Sequence, residues 1–415
     1  MDSVIVSDYG VMLAKKGDRL VVRGPKPRLE VIEGGPQLFL PFGADNRRPT
    51  LTVVTSDGEK HPPEPLRHLG ANGAAPRPPK SSADQIELPL FRVGHIVVAS
   101  NGVSISTDLI EACCERGIRL SFLTRGGKPF AMLSSPMLTA TVITRREQLA
   151  AYNDERGVEF ARAIVRGKLG NQAALLRYFG KYLKTADPET FAKLSEIAIR
   201  LLKGRSNAAQ VSASNIDEAR EALLAIEGSS GRNYWSGVRL LLPREIEFDL
   251  REHRGATDPV NSALNYGYGM LYTQVWGAIM NAGLEPFAGF LHVDRPGKPS
   301  LVLDMVEEFR QPVVDRAVIA AIGKGTAIET QGGMLTDASR RTIAQLVLER
   351  LESEVNFRGR RHLLKSVVQI QARNLASALR DDASGARAAA RSEQASPRSA
   401  SRIPAFRYKA FSFKW

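Results

Sequence analysis

The chain has 415 residues, 43% of them hydrophobic and 24% charged, which suffices for a buried core and, at roughly 100–200 residues per domain, for two or three domains, two being the simpler expectation. No stretch approaches the roughly 20 apolar residues that cross a bilayer, and the opening MDSVIVSDYG lacks the basic start and apolar run of a secretion signal, so a cytoplasmic protein without membrane contact is expected. The net charge of +13 favours polyanionic partners, since Lys and Arg that neutralise phosphates release condensed counterions, while the adjoining Cys113 and Cys114 exclude a disulfide framework and a zinc site.

From Val4 to Phe42 the chain shows short β-branched runs, and VIVSDYGVMLAKKGDRLVVR predicts a hairpin turning at Lys16, Gly17 and Asp18. Between about Gly43 and Ser82 the composition shifts to DNRRP, HPPEP and GANGAAPRPPKSS, which predicts a flexible insertion that buries too little surface to order itself. Strand patterning resumes in ELPLFRVGHIVVASNGVSIS. A helix follows over LIEACCERG, capped by Thr107 or Asp108 and ended by Gly117, and the strands IRLSFLT and FAMLSS flank the turn RGGKP. These elements close a β-rich N-terminal domain over residues 1–142.

After TATVITRREQLAAYNDERG the apolar period changes from two to about 3.6. Helices are predicted in EFARAIVRGKLGNQAALLRYFGKYLK, ETFAKLSEIAIRLLKG, NIDEAREALLAIEG, DPVNSALNYGYGMLYTQVWGAIMNAG, LVLDMVEEFRQPVVDRAVIAAIG, SRRTIAQLVLERLESE and RHLLKSVVQIQARNLASALRDD. They make an all-α C-terminal domain over 143–380, and the expected fold class is α+β. The tail 381–415 begins with SGARAAARSEQASPRSASR, expected to be disordered, and ends on FRYKAFSFKW, aromatic enough to predict docking on a surface.

Of six histidines, only His292 lies among carboxylates, apolar strand-like residues and a glycine turn, in GFLHVDRPGKPSLVLDMVEEFR. A helix from Ser300 to Phe309 makes Asp304 and Glu307 neighbours at i and i+3. Carboxylates with one imidazole suit Mg²⁺ or Mn²⁺ in phosphodiester chemistry, and a third protein ligand is then needed. Glu227 in ALLAIEGSSGRNYW is the candidate, followed by small residues that admit another backbone or a phosphate. Plainer readings stand beside this one. A lone histidine is more often a satisfied core residue than a ligand, Glu227 also suits a solvated helix position, and Asp304, Glu307 and Glu308 also suit an acidic face paired with Arg310 and Arg316.

Three segments in order, IEGSSGRNYW, DPVNSALNYGYGMLY and GFLHVDRPGKPSLVLDMVEEFR, resemble the CRISPR-associated endonuclease and integrase family of spacer acquisition, here the Cas-one family. VASNGVSISTDLIEACCERGIRLSFLTRGGKPFAML is similar to its N-terminal strand, helix and strand core, and TRREQLAAYND and ARAIVRGKLGNQAALL to the interdomain helix and first catalytic-domain helix. The resemblance implies a β-rich domain before a helical catalytic domain, a homodimer, and a divalent metal held by Glu227, His292 and Glu307. It gives Asp304 a supporting role, through water or by orienting substrate, and Glu308 is left on the surface. The insertion after Gly43 and the Arg-rich stretch after Asp382 depart from the family pattern.

The implied reaction is metal-dependent cutting of DNA and insertion of short spacers into a CRISPR array, a 3′ hydroxyl attacking a phosphodiester. The implied partners are double-stranded DNA, as spacer precursor and repeat, and the small Cas-two adaptation protein. Basic residues expected to track phosphates are Arg162, Arg166, Lys168 and Lys298, with Arg358, Arg360, Arg361 and Lys365 behind them. Tyr266, Tyr268 and Tyr272 suit base stacking, but aromatics at helical spacing are more often core. The alternatives are a non-catalytic DNA-binding scaffold of the same adaptation complex, and an iron oxygenase using His253 as a second imidazole.

Overall fold

The alternation in MLAKK and RLVVR becomes a hairpin of β2 (Met12–Lys16) and β3 (Arg19–Arg23), with Lys16 opposite Arg19 and Gly17 at φ 58° in the turn. The computed structural model describes residues 2–24, 29–32, 51–54, 60–61, 85–133, 142–253, 255–391 and 406–413. They form two compact units, residues 1–136 with 344–353, and residues 137–343 with 354–415.

The first unit also contains β1 (Asp2–Val6), β4 (Leu29–Ile32), β5 (Leu51–Val54), β6 (Lys60–His61), β7 (Gln85–Pro89), β8 (Val93–Val98), β9 (Ser104–Ile105), α1 (Thr107–Arg116), β10 (Arg119–Leu123) and β11 (Pro129–Leu133). One sheet runs β11-β10-β8-β1-β4-β5-β6 and the other β7-β3-β2-β9. Strand β8 is parallel to both β1 and β10, and α1 lies in the crossover from β8 to β10. Both sheets contribute to one core, with Val4, Leu13, Leu20, Val22, Ile96, Val98 and Leu120 packed against Leu109, Ala112 and Cys113 of α1. Each valine, leucine or isoleucine among them stabilises the unit by roughly 1.5–3 kcal/mol. Gly117 ends α1 at φ 65°, where a Cβ is disfavoured. Of the expected flexible insertion 43–82, β5 and β6 are strands of the larger sheet, and the rest lies outside the described residues.

The second unit is helical: α2 (Val142–Ala151), α3 (Glu155–Gly180), α4 (Leu183–Ala186), α5 (Pro188–Gln210), α6 (Ile216–Leu241), α7 (Pro259–Asn281), α8 (Ser300–Val306) and α9 (Arg316–Gly323). Then come α10 (Asp337–Glu352), whose second half clusters with the first unit, and α11 (Leu364–Arg391). Two ribbons interrupt the helices, β12 (Thr330–Gln331) with β13 (Met334–Leu335), and β14 (Glu354–Phe357) with β15 (Arg360–Leu363). Asp154, Asp187, Asn215 and Asp258 cap α3, α5, α6 and α7 by accepting backbone N–H groups, each cap contributing about 1 kcal/mol.

Several helical boundaries differ from the sequence expectation, among them α6, which was expected to end at Gly228 and runs on to Leu241. The helix expected from Ser300 to Phe309 stops at Val306, and Arg310–Asp315 is a π-helical turn; Pro312 in it has no N–H for a regular helical bond. SGARAAAR, expected disordered, continues α11 to Arg391 because its alanines and arginines favour helix. Among the described residues no helix is long and apolar enough to cross a membrane.

Candidate active site

The loop before α8 is tied to the start of that helix. A Cβ on Gly289 would meet the Ser300 backbone carbon at 2.5 Å, so glycine permits the approach. Ser300 Oγ accepts the Gly289 N–H at 2.8 Å and donates to the Phe287 carbonyl at 2.7 Å. One turn on, the fully buried Asp304 collects the loop's amides. Its Oδ2 accepts from Phe290 at 2.7 Å and Leu291 at 3.1 Å, and its Oδ1 accepts the His292 N–H at 2.9 Å and lies 2.7 Å from His292 Nδ1. An ionised carboxylate only accepts, so Nδ1 carries the proton and Nε2 keeps the lone pair for a ligand. Arg220 of α6 donates to the Phe290 carbonyl from Nε at 3.3 Å and Nη2 at 3.1 Å, and Nη2 also reaches the Tyr152 hydroxyl at 3.0 Å.

Beside this loop, α3, α6 and the end of α8 each contribute one charged group. Lys168 of α3 is buried; its ammonium donates to Glu227 Oε1 of α6 and stands 2.7 Å from Glu307 Oε2. Arg310 Nη1 lies 3.0 Å from Glu307 Oε1. Burial works against the Glu307 charge, but Arg310 and Lys168 outweigh it and hold the carboxyl down to about 2. Burial likewise opposes the Lys168 charge, and Glu307 and Glu227 raise its pKa above the ordinary lysine value. Glu307 Oε2 is held on the Lys168 ammonium by charge, with no other hydrogen-bond donor on it among the described residues.

Among the described residues no three Asp, Glu, His or Cys side chains are grouped closely enough to enclose a metal ion. Glu227 and Glu307 instead converge on the Lys168 ammonium, a monovalent stand-in for a cation, while His292 is fixed by Asp304. Two carboxylates with an imidazole lone pair form a donor set that Mg²⁺ or Mn²⁺ accepts, so the residues fit such an ion in chemistry. His253, the second imidazole an iron site would need, is pushed down to about 4 by burial and by the positive charges of Arg251 and Arg310.

The structure thus brings Glu227, Glu307 and Lys168 together and joins His292 to Asp304. Asp304 is closed to substrate, its oxygens being occupied by the loop amides and the imidazole. Lys168, expected to track phosphates, is buried between carboxylates. Glu308, expected on the surface, is fully buried: it accepts from the Tyr408 hydroxyl, the Phe411 N–H and Gln371 Nε2. Burial pushes its carboxyl up to about 7 against those hydrogen bonds. Arg162 pairs with Glu159 and donates to the Val211 carbonyl at 2.9 Å, whereas Arg166 is exposed and Lys298 half-buried in the Arg295–Lys298 turn. Arg358, Arg360 and Arg361 are exposed on the β14–β15 ribbon, Arg361 pairing with Glu354, and Lys365 is half-buried. Tyr266 is core, and the hydroxyls of Tyr268 and Tyr234 both donate to buried Asp315. Sequence reasoning missed Arg220 and the bridging place of Lys168. The i, i+3 spacing of Glu307 and Arg310 already suggested their pairing.

Residues 79–349 match the profile of the family described as CRISPR associated protein Cas1. The chain is similar to CRISPR-associated endonuclease Cas1 1 of Archaeoglobus fulgidus, with 37% identity over 67% of this chain and 84% of that protein. Its fold is similar to a casposase bound to integration product, with TM-score 0.66 and 21% identity over 91% of this chain and 90% of that one. It is also similar to a chain of a Cas6-RT-Cas1–Cas2 complex, with TM-score 0.59 and 16% identity over 91% of this chain and 34% of that one. With the profile spanning well over half of the sequence, the chain belongs to the CRISPR-associated Cas1 family.

Proposed function

We propose that this chain is a divalent-metal-dependent DNA endonuclease and integrase that inserts short spacers into a CRISPR array, a 3′ hydroxyl of the incoming duplex attacking a phosphodiester of the repeat and displacing the 3′ oxygen of the neighbouring nucleotide, which leaves as a free 3′ hydroxyl. The observation that carries this reading is that Glu227 and Glu307, from separate helices, meet on one cationic group, while Asp304 fixes His292 on the loop that leads into the helix before Glu307. Glu227, His292 and Glu307 would hold Mg²⁺ or Mn²⁺, which would supply Lewis-acid activation of the attacking hydroxyl and offset charge building on the phosphate. Asp304 is the supporting residue: it keeps the His292 proton on Nδ1 and the ring in one orientation. Arg310 offsets the Glu307 charge, and Lys168 keeps the two carboxylates together before the ion arrives.

In this reading the partners are double-stranded DNA, a second copy of the chain, and the small Cas2 protein, and the protein acts in the cytoplasm. The likeness to a casposase bound to integration product and to a chain of a complex that contains Cas2 supports the choice of partners. Exposed Arg166 and half-buried Lys298 are the residues proposed to meet phosphates; Arg162 is engaged within the helical unit. The test is strand transfer of a short duplex into a supercoiled repeat-bearing plasmid, with Mn²⁺ or Mg²⁺ and with and without Cas2. Joined product that disappears with chelator and with Glu227→Ala supports the enzyme. DNA binding with no cut or joined product in either metal supports the non-catalytic scaffold.

A further inference from the structure

The C-terminal aromatic segment, residues 406–413, lies beyond the part of the chain that the family profile matches, which ends at 349. It packs against the two elements that carry Glu307 and Lys168. Glu308, the neighbour of Glu307, points its buried carboxylate at this segment, where the Tyr408 hydroxyl and the Phe411 N–H donate to it. Gln371 of α11 closes the ring, donating to Glu308 Oε2 at 2.8 Å and to the Lys409 carbonyl at 3.0 Å.

Asn171 makes the matching contacts from α3. Its Nδ2 donates to the Glu308 carbonyl at 2.9 Å and the Phe411 carbonyl at 3.0 Å, and its Oδ1 accepts the Phe413 N–H at 2.8 Å. Lys168 and Asn171 are i and i+3, on one face of α3. Rings fix the segment sideways: Phe411 stacks on Phe309 with centroids 5.5 Å apart at 16°, and Tyr408 lies 5.0 Å from Phe160. A Cβ on Gly167 would meet the Ala410 Cβ at 2.5 Å, so the segment reaches α3 only because the residue before Lys168 is glycine.

We propose that residues 406–413 form a positioning strap, which grips Glu308 and Asn171 and thereby sets where Glu307 and Lys168 stand relative to one another. This rests on the proposed metal-dependent function, since the strap matters through the placement of a metal ligand. Buried polar side chains that bond the strap at fixed backbone positions give the contact one register, which a purely apolar contact would not. The strap touches no reacting atom; it acts through Glu307 and Lys168.

The test compares the full chain with a chain ending at residue 405, with Phe411→Ala, and with Gly167→Val, which displaces the strap without changing it. Mn²⁺ affinity is read by calorimetry, and amide hydrogen exchange is read over 164–172 and 304–311 against the rest of the helical unit. A positioning strap predicts Mn²⁺ binding weaker by about tenfold or more, faster exchange in those two segments alone, and recovery of both when the peptide FRYKAFSFKW is added to the shortened chain. Unchanged affinity and exchange in all three variants would overturn it, as would uniformly faster exchange throughout the helical unit, the mark of a general stabiliser. If the full chain neither binds Mn²⁺ nor joins DNA, the functional reading fails while exchange still decides whether the strap sets these two segments.

Discussion

His292 Nδ1 lies 2.7 Å from Asp304 Oδ1, and the same carboxylate takes three consecutive backbone N–H groups, from Phe290, Leu291 and His292. One buried side chain therefore fixes both the loop and the ring it presents. Asp304→Asn keeps the shape but puts a donor where an acceptor stood, leaving at least one buried amide unpaired, at about 1–3 kcal/mol. Strand transfer is expected to fall about 10–100-fold, with a lower urea midpoint. Activity within twofold of the native protein would show that the ring needs no such support.

Lys168 stands between two carboxylates that otherwise repel each other. Lys168→Met is expected to destabilise the metal-free protein by roughly 3 kcal/mol and, by removing a competing cation, to tighten Mn²⁺ binding. Thermal melting with and without Mn²⁺ reads both effects. A variant that binds Mn²⁺ more weakly than the native protein would mean that Lys168 helps to hold the ion instead of competing with it.

Glu307 is held down to about 2, below the ordinary 4.5, because Arg310 and Lys168 outweigh burial. A depressed carboxylate binds fewer protons folded than unfolded, so its ionisation contributes stability, roughly 3 kcal/mol, that is full above about 4.5 and lost as pH falls toward 2. The stability difference between the native protein and Glu307→Gln should be level from pH 8 to 5 and shrink below 4.5. A difference that stays level to pH 2.5 would contradict the assigned charge partners.

Arg220 joins the helix bearing Glu227 to the loop bearing His292 through the Phe290 carbonyl. Arg220→Ala should lower the melting temperature by several degrees, corresponding to about 1–3 kcal/mol, and reduce turnover more than DNA affinity. Equal losses in DNA affinity and turnover would point instead to a phosphate contact.

The long helices and the strand, helix and strand core were legible because their apolar periods extend over enough residues, as in EFARAIVRGKL and HIVVA. His292 and Asp304 were legible as neighbours because one short turn and the helix after it carry both. The place of Lys168 was not, since a lysine on an amphipathic helix looks alike whether it faces solvent or carboxylates supplied by distant helices. Glu308 failed for the same reason: beside Glu307 it suggests a solvated acidic face, and its partners Gln371, Tyr408 and Phe411 lie far along the chain. The ribbon β14–β15 escaped notice because RHLLK reads as the start of the following helix, whereas Arg358 at φ 52° and Gly359 at φ 82° form a tight turn that reverses the strand.

The most direct test of the central claim is a crystal of the protein soaked in Mn²⁺ and measured for anomalous scattering. Metal binding by these three ligands predicts one strong peak within ligand distance of Glu227, His292 Nε2 and Glu307, with the Lys168 ammonium drawn back from both carboxylates. A map with no peak there, and Lys168 still bridging Glu227 and Glu307 at saturating Mn²⁺, would contradict it.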